Sequence, residues 1–242
     1  MRFRDFFVSE TKLADILKPV PQSPKHHAEG DVFTHTRMVR SRLPIAIEFV
    51  KKEQQNNPNS VFKNLDMNLS ANDIKILKLA AWFHDIGKAS ATKVDQETGK
   101  ITAHGHESAK HYLPQIERLS GNLKNIYNSL STVEKDILHF VIDNHMSLNQ
   151  ETGLPRKLWS AIYDDEGNIK NDTKSKLLII FIIMDRTGRL KAVDFEPHIT
   201  TFKHKQDASI QKADKEFADT LHPLHVSKEK HLQRLQNIRD HN

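Results

Sequence analysis

An apolar run with a charge at its end constrains this chain more than any other feature. Leu177-Leu-Ile-Ile-Phe-Ile-Ile-Met184 is the longest unbroken hydrophobic stretch, and Asp185 follows it directly. Eight residues cannot span a bilayer, which takes about 20. The run belongs instead to a buried element of a core, and residues 174–190 read as a helix. Asp185 lies four residues after Phe181, so a helix places it on the same apolar face. A carboxylate there is costly unless it is paired or coordinates a metal.

The rest of the pattern is also helical. Glycines number only 8 in 242 residues, and β-branched alternation is rare. Residues 3–17 read as a helix, followed by a Pro19–Pro24 breaker. Residues 31–52 read as a helix that Pro44 kinks or splits. Residues 53–68 read as a loop. Ser70 with Asp73 forms a capping-box-like start, and Ile76, Leu79, Ala80 and Phe83 follow at helical spacing. Gly87 is expected to end that helix. Residues 104–119 are expected to be helical despite Pro114. Ser131 and Glu134 cap a helix running to about His145. Residues 147–173 read mostly as loop, and 207–240 as two helices broken near Pro223. The expected class is all-α: a helical domain with long loops over 1–195, and a helical extension over 196–242 packed on it.

Composition narrows the chemistry. Cysteine is absent, which excludes disulfides, thiolate metal sites and a cysteine nucleophile. Lys plus Arg is 36 against 31 Asp plus Glu, and the net +5 permits an anionic ligand without demanding nucleic acid. The N-terminus has no apolar stretch of signal-peptide length, so a soluble, cytoplasmic protein without membrane partners is expected. Histidine is abundant at 15, and nine of these lie between residues 26 and 145.

Several histidines face inward by periodicity. His84 shares a face with Leu77 and Ala80, and His145 follows Val141 by four. With Asp85 and Asp185 the candidate metal ligands are His35, His84, Asp85 and Asp185. Each alone has an ordinary reading: a core histidine, a chance His-Asp pair, or Asp185 paired with Arg186 or Arg189. Together, two imidazoles and two carboxylates suit a borderline divalent ion such as Mn, Fe, Co, Ni or Zn.

The run Ala80-Ala-Trp-Phe-His-Asp-Ile-Gly-Lys88, with His35 upstream and Asp185 downstream, resembles the HD-domain metal-dependent phosphohydrolases. Pro24-Lys-His-His-Ala-Glu-Gly-Asp-Val-Phe-Thr-His-Thr36, Gly105-His-Glu107 and Asp185-Arg-Thr-Gly-Arg189 are similar to segments of one branch, the HD domain of bacterial tRNA nucleotidyltransferases. The resemblance covers roughly residues 20–195. It implies an HD-domain helical bundle that holds metal through His35, His84, Asp85 and Asp185. It also implies a second ion at His106 and His145, with His27 behind the ligands. Only some 20 residues precede the matched region, with no Gly-Gly-x-x-Arg-Asp-like segment. A stand-alone hydrolase is therefore expected rather than an enzyme that adds CCA to tRNA.

The implied activity is phosphatase or phosphodiesterase chemistry by metal-activated water. The expected cofactor is one or two ions of Mn, Ni, Co, Fe, Zn or Mg. The substrate class is a nucleotide or an RNA terminal phosphate, including a 2′,3′-cyclic phosphodiester. Asp85 or Asp185 is a candidate proton acceptor, or only holds the metal. Lys88 is a candidate catalytic and phosphate-binding cation, and Arg189 a candidate phosphate-binding one; a lysine ending a helix also suits the helix dipole. Phe33, Trp82, Tyr112 and Trp159 are expected in the core more than stacked on a base. The alternatives are hydrolysis of a deoxynucleotide, a signalling nucleotide or a cyclic dinucleotide, or a non-catalytic, metal-stabilised module that binds RNA or protein.

Overall fold

The apolar run becomes the central helix of the fold. The computed structural model describes residues 12–23, 27–189 and 202–241, with residues 202–218 described by backbone alone. Residues 12–17 form α1. Then come α2 (Val32–Ser41), α3 (Leu43–Asn56), α4 (Ala71–Phe83) and the single turn α5 (Lys88–Ala91). A small antiparallel hairpin, β1 (Lys93–Val94) with β2 (Ile101–Thr102), pairs Lys93 with Thr102. The chain continues through α6 (Ala109–Arg118), α7 (Asn122–Asn128), α8 (Thr132–Asn144), α9 (Arg156–Ile162), α10 (Thr173–Thr187) and α11 (Phe202–Asp240). The all-α expectation holds, since the hairpin is the only sheet among the described residues.

Helix α10 packs against α2, α3, α4, α8 and α11. Leu177 through Met184 are all essentially inaccessible to solvent. Burying each such side chain stabilises the fold by about 1.5–3 kcal/mol relative to exposure. Asp172 starts the helix by accepting from Ser175 N, as an N-cap should. Asp185 is carried into the centre on the same helix and is 1% exposed.

The cap signals in the sequence hold. Ser70 and Asp73 make a reciprocal capping box on α4, and Ser131 and Glu134 make one on α8. Pro44 splits the 31–52 helix instead of kinking it. It sits in the first turn of α3, where a missing N–H costs nothing. Pro114 is tolerated inside α6.

Four expectations need correction. Gly87 does not end α4, which stops at Phe83 with His84 as its C-cap. Gly87 has ordinary right-handed backbone angles and precedes α5. Its lack of a side chain serves a close approach: a Cβ there would lie 2.1 Å from the His106 carbonyl oxygen. Lys88 therefore opens α5 and does not cap α4. The 53–68 loop starts later than expected, because α3 runs to Asn56, whereas residues 147–173 are mostly loop, as expected, around the short α9. Helix α7 was not anticipated.

The fourth correction concerns Pro223. The expected two helices are one, α11, which passes through the proline. A proline deprives the carbonyl four residues earlier of its hydrogen bond. That carbonyl belongs to Asp219, and Arg186 Nη1 donates to it at 3.1 Å. The other Arg186 nitrogen, Nη2, donates to the Leu148 carbonyl at 2.8 Å. Nearby, Tyr163 donates to Leu224 O at 2.9 Å, and Leu154 N donates to Ser227 Oγ at 2.6 Å. Gly153 lets α11 approach, since a Cβ there would lie 2.1 Å from Ser227 Oγ. His231 packs on Tyr163 and meets the Asp164 carbonyl at 3.1 Å, so it is a packing residue, as expected of the C-terminal histidines.

The proposed helix over residues 3–11, the Pro24–His26 part of the matched opening, the domain boundary at 195 and His198 lie outside the described residues. Among the described residues no helix is long and apolar enough to cross a membrane.

Candidate metal centre

Three helices end at one place. His84 is the C-cap of α4, His145 is the C-cap of α8, and Asp185 lies in the last turn of α10. Each helix C-terminus carries about half a negative elementary charge, so their meeting point favours a cation. His35 enters from the second turn of α2, and His106 from the turn after β2. All these side chains are buried: His35 and His84 at 0% exposure, Asp185 at 1%, Asp85 at 2%, His145 at 3% and His106 at 5%.

Backbone contacts set the orientation of three of the rings. His84 Nδ1 donates to Ala81 O at 3.1 Å, and His145 Nδ1 donates to Ile142 O at 2.7 Å. His106 Nδ1 donates to Ala103 O at 2.8 Å. A carbonyl can only accept, so in each ring Nδ1 carries the proton and Nε2 faces the centre. At His84 and His145 the same bond satisfies a carbonyl that the helix end leaves open. His35 is oriented by a carboxylate, with Nδ1 2.9 Å from Glu29 Oε1. Such outer partners fix the ring and raise the basicity of the ligating nitrogen.

The inward atoms form two overlapping groups. In the first, His35 Nε2 is 3.3 Å from His84 Nε2 and 3.1 Å from Asp185 Oδ1. Asp85 Oδ2 is 3.6 Å from His35 Nε2 and 3.4 Å from His84 Nε2, and His84 Nε2 is 3.7 Å from Asp185 Oδ1. Donors held at about 2.1 Å from one ion lie roughly 3.0–3.4 Å apart, so the His35–His84, His35–Asp185 and His84–Asp85 spacings fit a shared cation, and the other two are slightly wider. In the second group, Asp85 Oδ1 is 2.9 Å from His106 Nε2 and 3.8 Å from His145 Nε2. Among the described residues His145 Nε2 is buried without a hydrogen-bond partner. Both sets, His35/His84/Asp185 and Asp85/His106/His145, have the composition and spacing to hold a metal ion. Asp85 offers one oxygen to each.

Burial and neighbouring charges set the protonation of these groups. Burial alone would raise the Asp85 carboxyl, but the charge of Lys88, then His84 and His106, holds it well below the usual carboxylate range. Burial also opposes ionisation of Asp185, and there Arg189 and then His35 outweigh it. Both acids stay ionised. Burial pushes His145 down to about 3, so its ring stays neutral. Burial would also lower His35 and His106, but Asp185 with Glu29 raises the first, and Asp85 raises the second. The carboxylates thus favour an added proton on these two rings, which a bound cation would have to replace.

All six side chains expected from the sequence as metal ligands meet here. Of the two candidate phosphate cations, Lys88 sits on the Asp85 oxygen that faces His35 and His84, and Arg189 on the outer oxygen of Asp185. Lys88 Nζ donates to Asp85 Oδ2 and to Gln22 Oε1, both at 2.7 Å. Arg189 Nη2 donates to Asp185 Oδ2 and lies 3.7 Å from Met146 Sδ. His27 lies behind the ligands as expected, with Nδ1 2.9 Å from Glu29. Burial lowers His27 to about 4, despite the Glu29 bond. Two contributors were missed, Glu29 and Gln22. The only signal for Glu29 was an acid six residues before His35 in the segment already singled out. Phe33, Trp82 and Tyr112 are buried, as expected of core residues, and Trp159 is half-buried.

No protein-family model, curated protein or solved structure matches this chain. The functional reading therefore rests on the geometry of the centre.

Proposed function

We propose that the protein is a metal-dependent phosphohydrolase of the HD-domain kind, acting on a nucleotide or an RNA terminal phosphate, 2′,3′-cyclic phosphodiesters included. The observation that carries this reading is Asp85, whose two oxygens face two separate imidazole groups. His35, His84 and Asp185 would hold one divalent ion, and His106 and His145 a second, with Asp85 shared. When bound, such ions lower the pKa of a water toward about 7 and polarise a phosphoryl oxygen.

The chain's own groups do the remaining work. Glu29 fixes the His35 ring from behind. Lys88 places two of its three ammonium protons on Asp85 and Gln22, which leaves the third for a phosphate oxygen. Arg189 adds a second cation beside Asp185. Two cations next to the proposed metal ligands suit a doubly charged phosphate.

The test is phosphate release, or opening of a cyclic ester, by the purified full-length chain with Mn, Ni, Co or Mg. The panel should span RNA 3′-ends, mononucleotides, deoxynucleotides, guanosine polyphosphates and cyclic dinucleotides. Turnover is expected with at least one metal, and is expected to vanish in His84→Ala and Asp85→Ala. Full activity in both variants would remove the reading. Metal retention with no turnover on any substrate would point to a metal-stabilised binding module.

A further inference from the structure

The outer face of α2 is unlike its inner face. His35 points into the centre, and Arg37, two residues on and about 200° round the helix, points out. Arg37, Arg40 and Lys78 line one concavity of about 400 Å³ with Ser41, Leu43 and Pro44. Among the described residues its lining includes three cations and no carboxylate. A smaller hollow beside it shares Arg37 and Ser41.

The cations are arranged on an aromatic base. Phe33 and Trp82 stack with ring centroids 6.4 Å apart. The Arg40 guanidinium lies 4.9 Å from the Trp82 ring centroid, and that of Arg37 lies 6.0 Å from Phe33. Lys18 Nζ from the end of α1 lies 5.7 Å from the same Phe33 ring. Lys18, Arg37, Arg40 and Lys78 thus form a stripe across α1, α2 and α4. The rings are too buried to stack on bases, and they act as a rigid floor under the charges.

We infer that this stripe binds the phosphodiester backbone of a single nucleic-acid strand. Four cations are more than one small anion needs. Lys18, Arg37 and Lys78 are exposed, whereas a small-molecule site encloses most of its ligand. A polyanion needs no enclosure, because each neutralised phosphate releases counterions. Guanidinium groups add bidentate geometry matched to phosphate. The inference concerns how a polynucleotide is held, and depends on the proposed hydrolysis only for the link to turnover.

The experiment uses the full-length chain and a labelled single-stranded RNA 12-mer, with the dissociation constant measured over a range of salt. The double variant Arg37→Gln/Lys78→Gln changes only exposed side chains. Its salt slope is expected to fall by about 1.4, from about 0.7 per lost contact on a single strand. Lys51→Gln/Lys93→Gln removes equal charge elsewhere and is expected to keep the wild-type slope. An unchanged slope in the first variant, or an equal fall in the second, overturns the inference. Displacement of the RNA by millimolar inorganic phosphate would make this a small-anion site and overturn it too. Loss of slope without any turnover leaves the stripe standing while the hydrolase reading fails. Turnover with an unchanged slope does the reverse.

Discussion

Gly87 and His106 touch through their backbones: a Cβ on Gly87 would lie 2.1 Å from the His106 carbonyl oxygen. The turn carrying His106 is held against the start of α5, which brings His106 Nε2 within 2.9 Å of Asp85. Gly87→Ala is not strained by its own backbone angles, so its whole effect falls on this contact. Backbone cannot swing aside as a side chain can. The variant is expected to lose about 1–3 kcal/mol of stability, as other overpacked sites do. It should also displace His106 and lower the metal count while leaving the His35/His84/Asp185 group in place. Elemental analysis and a denaturation curve check both effects.

Glu29 should matter for metal although it is not among the expected ligands. It lies behind His35 Nδ1, and outer partners of this kind are worth roughly 10–100-fold in metal affinity. Glu29→Gln is expected to weaken binding within that range with the helical signal unchanged. Competition with a chromogenic chelator measures it, and wild-type affinity in the variant would place Glu29 outside the centre.

Arg186 ties three parts of the fold together. It follows Asp185 and bonds the carbonyls of Leu148 and Asp219. Hydrogen bonds from charged groups are each worth about 1.5–3 kcal/mol, and Arg186→Met leaves both carbonyls short of a donor. A loss of about 3 kcal/mol is expected from urea denaturation. Lost contact between α10 and α11 should also expose the segment around Pro223 to proteolysis.

The α8 cap gives a pH signature. The Lys75 bond, then those from Ser131, lower the Glu134 carboxyl to about 2. A depressed carboxylate stabilises the fold above its ordinary pKa near 4.5, and that stability is lost as pH falls toward 2. The stability difference between wild type and Glu134→Gln should therefore be constant above about pH 5.5 and shrink steadily below 4.5. A difference that grows on acidification would contradict the sign.

The sequence made the centre legible because its ligands sit at periodic positions. His84 and Asp185 lie on apolar helix faces, where a polar group calls for an explanation, and the capping boxes at Ser70 and Ser131 are local signals. What escaped depends on contacts between distant segments. Pro223 looked like a helix break because the donor that satisfies Asp219 O comes from Arg186, 33 residues earlier. Gly87 looked like a helix stop, and its reason is the approach of His106. Gln22 and Glu29 have no motif of their own and acquire roles only when Lys88 and His35 arrive beside them. Short helices such as α7 and α9 carry too few turns for periodicity to declare them.

The most direct measurement is divalent metal per chain in the wild type and in three single variants. The wild type should carry two ions. His84→Ala should lose the ion of the His35 group, His145→Ala should lose the other, and Asp85→Ala should lose both. A folded wild-type chain that retains no divalent ion when equilibrated with Mn, Ni, Co, Fe, Zn or Mg would contradict the metal centre.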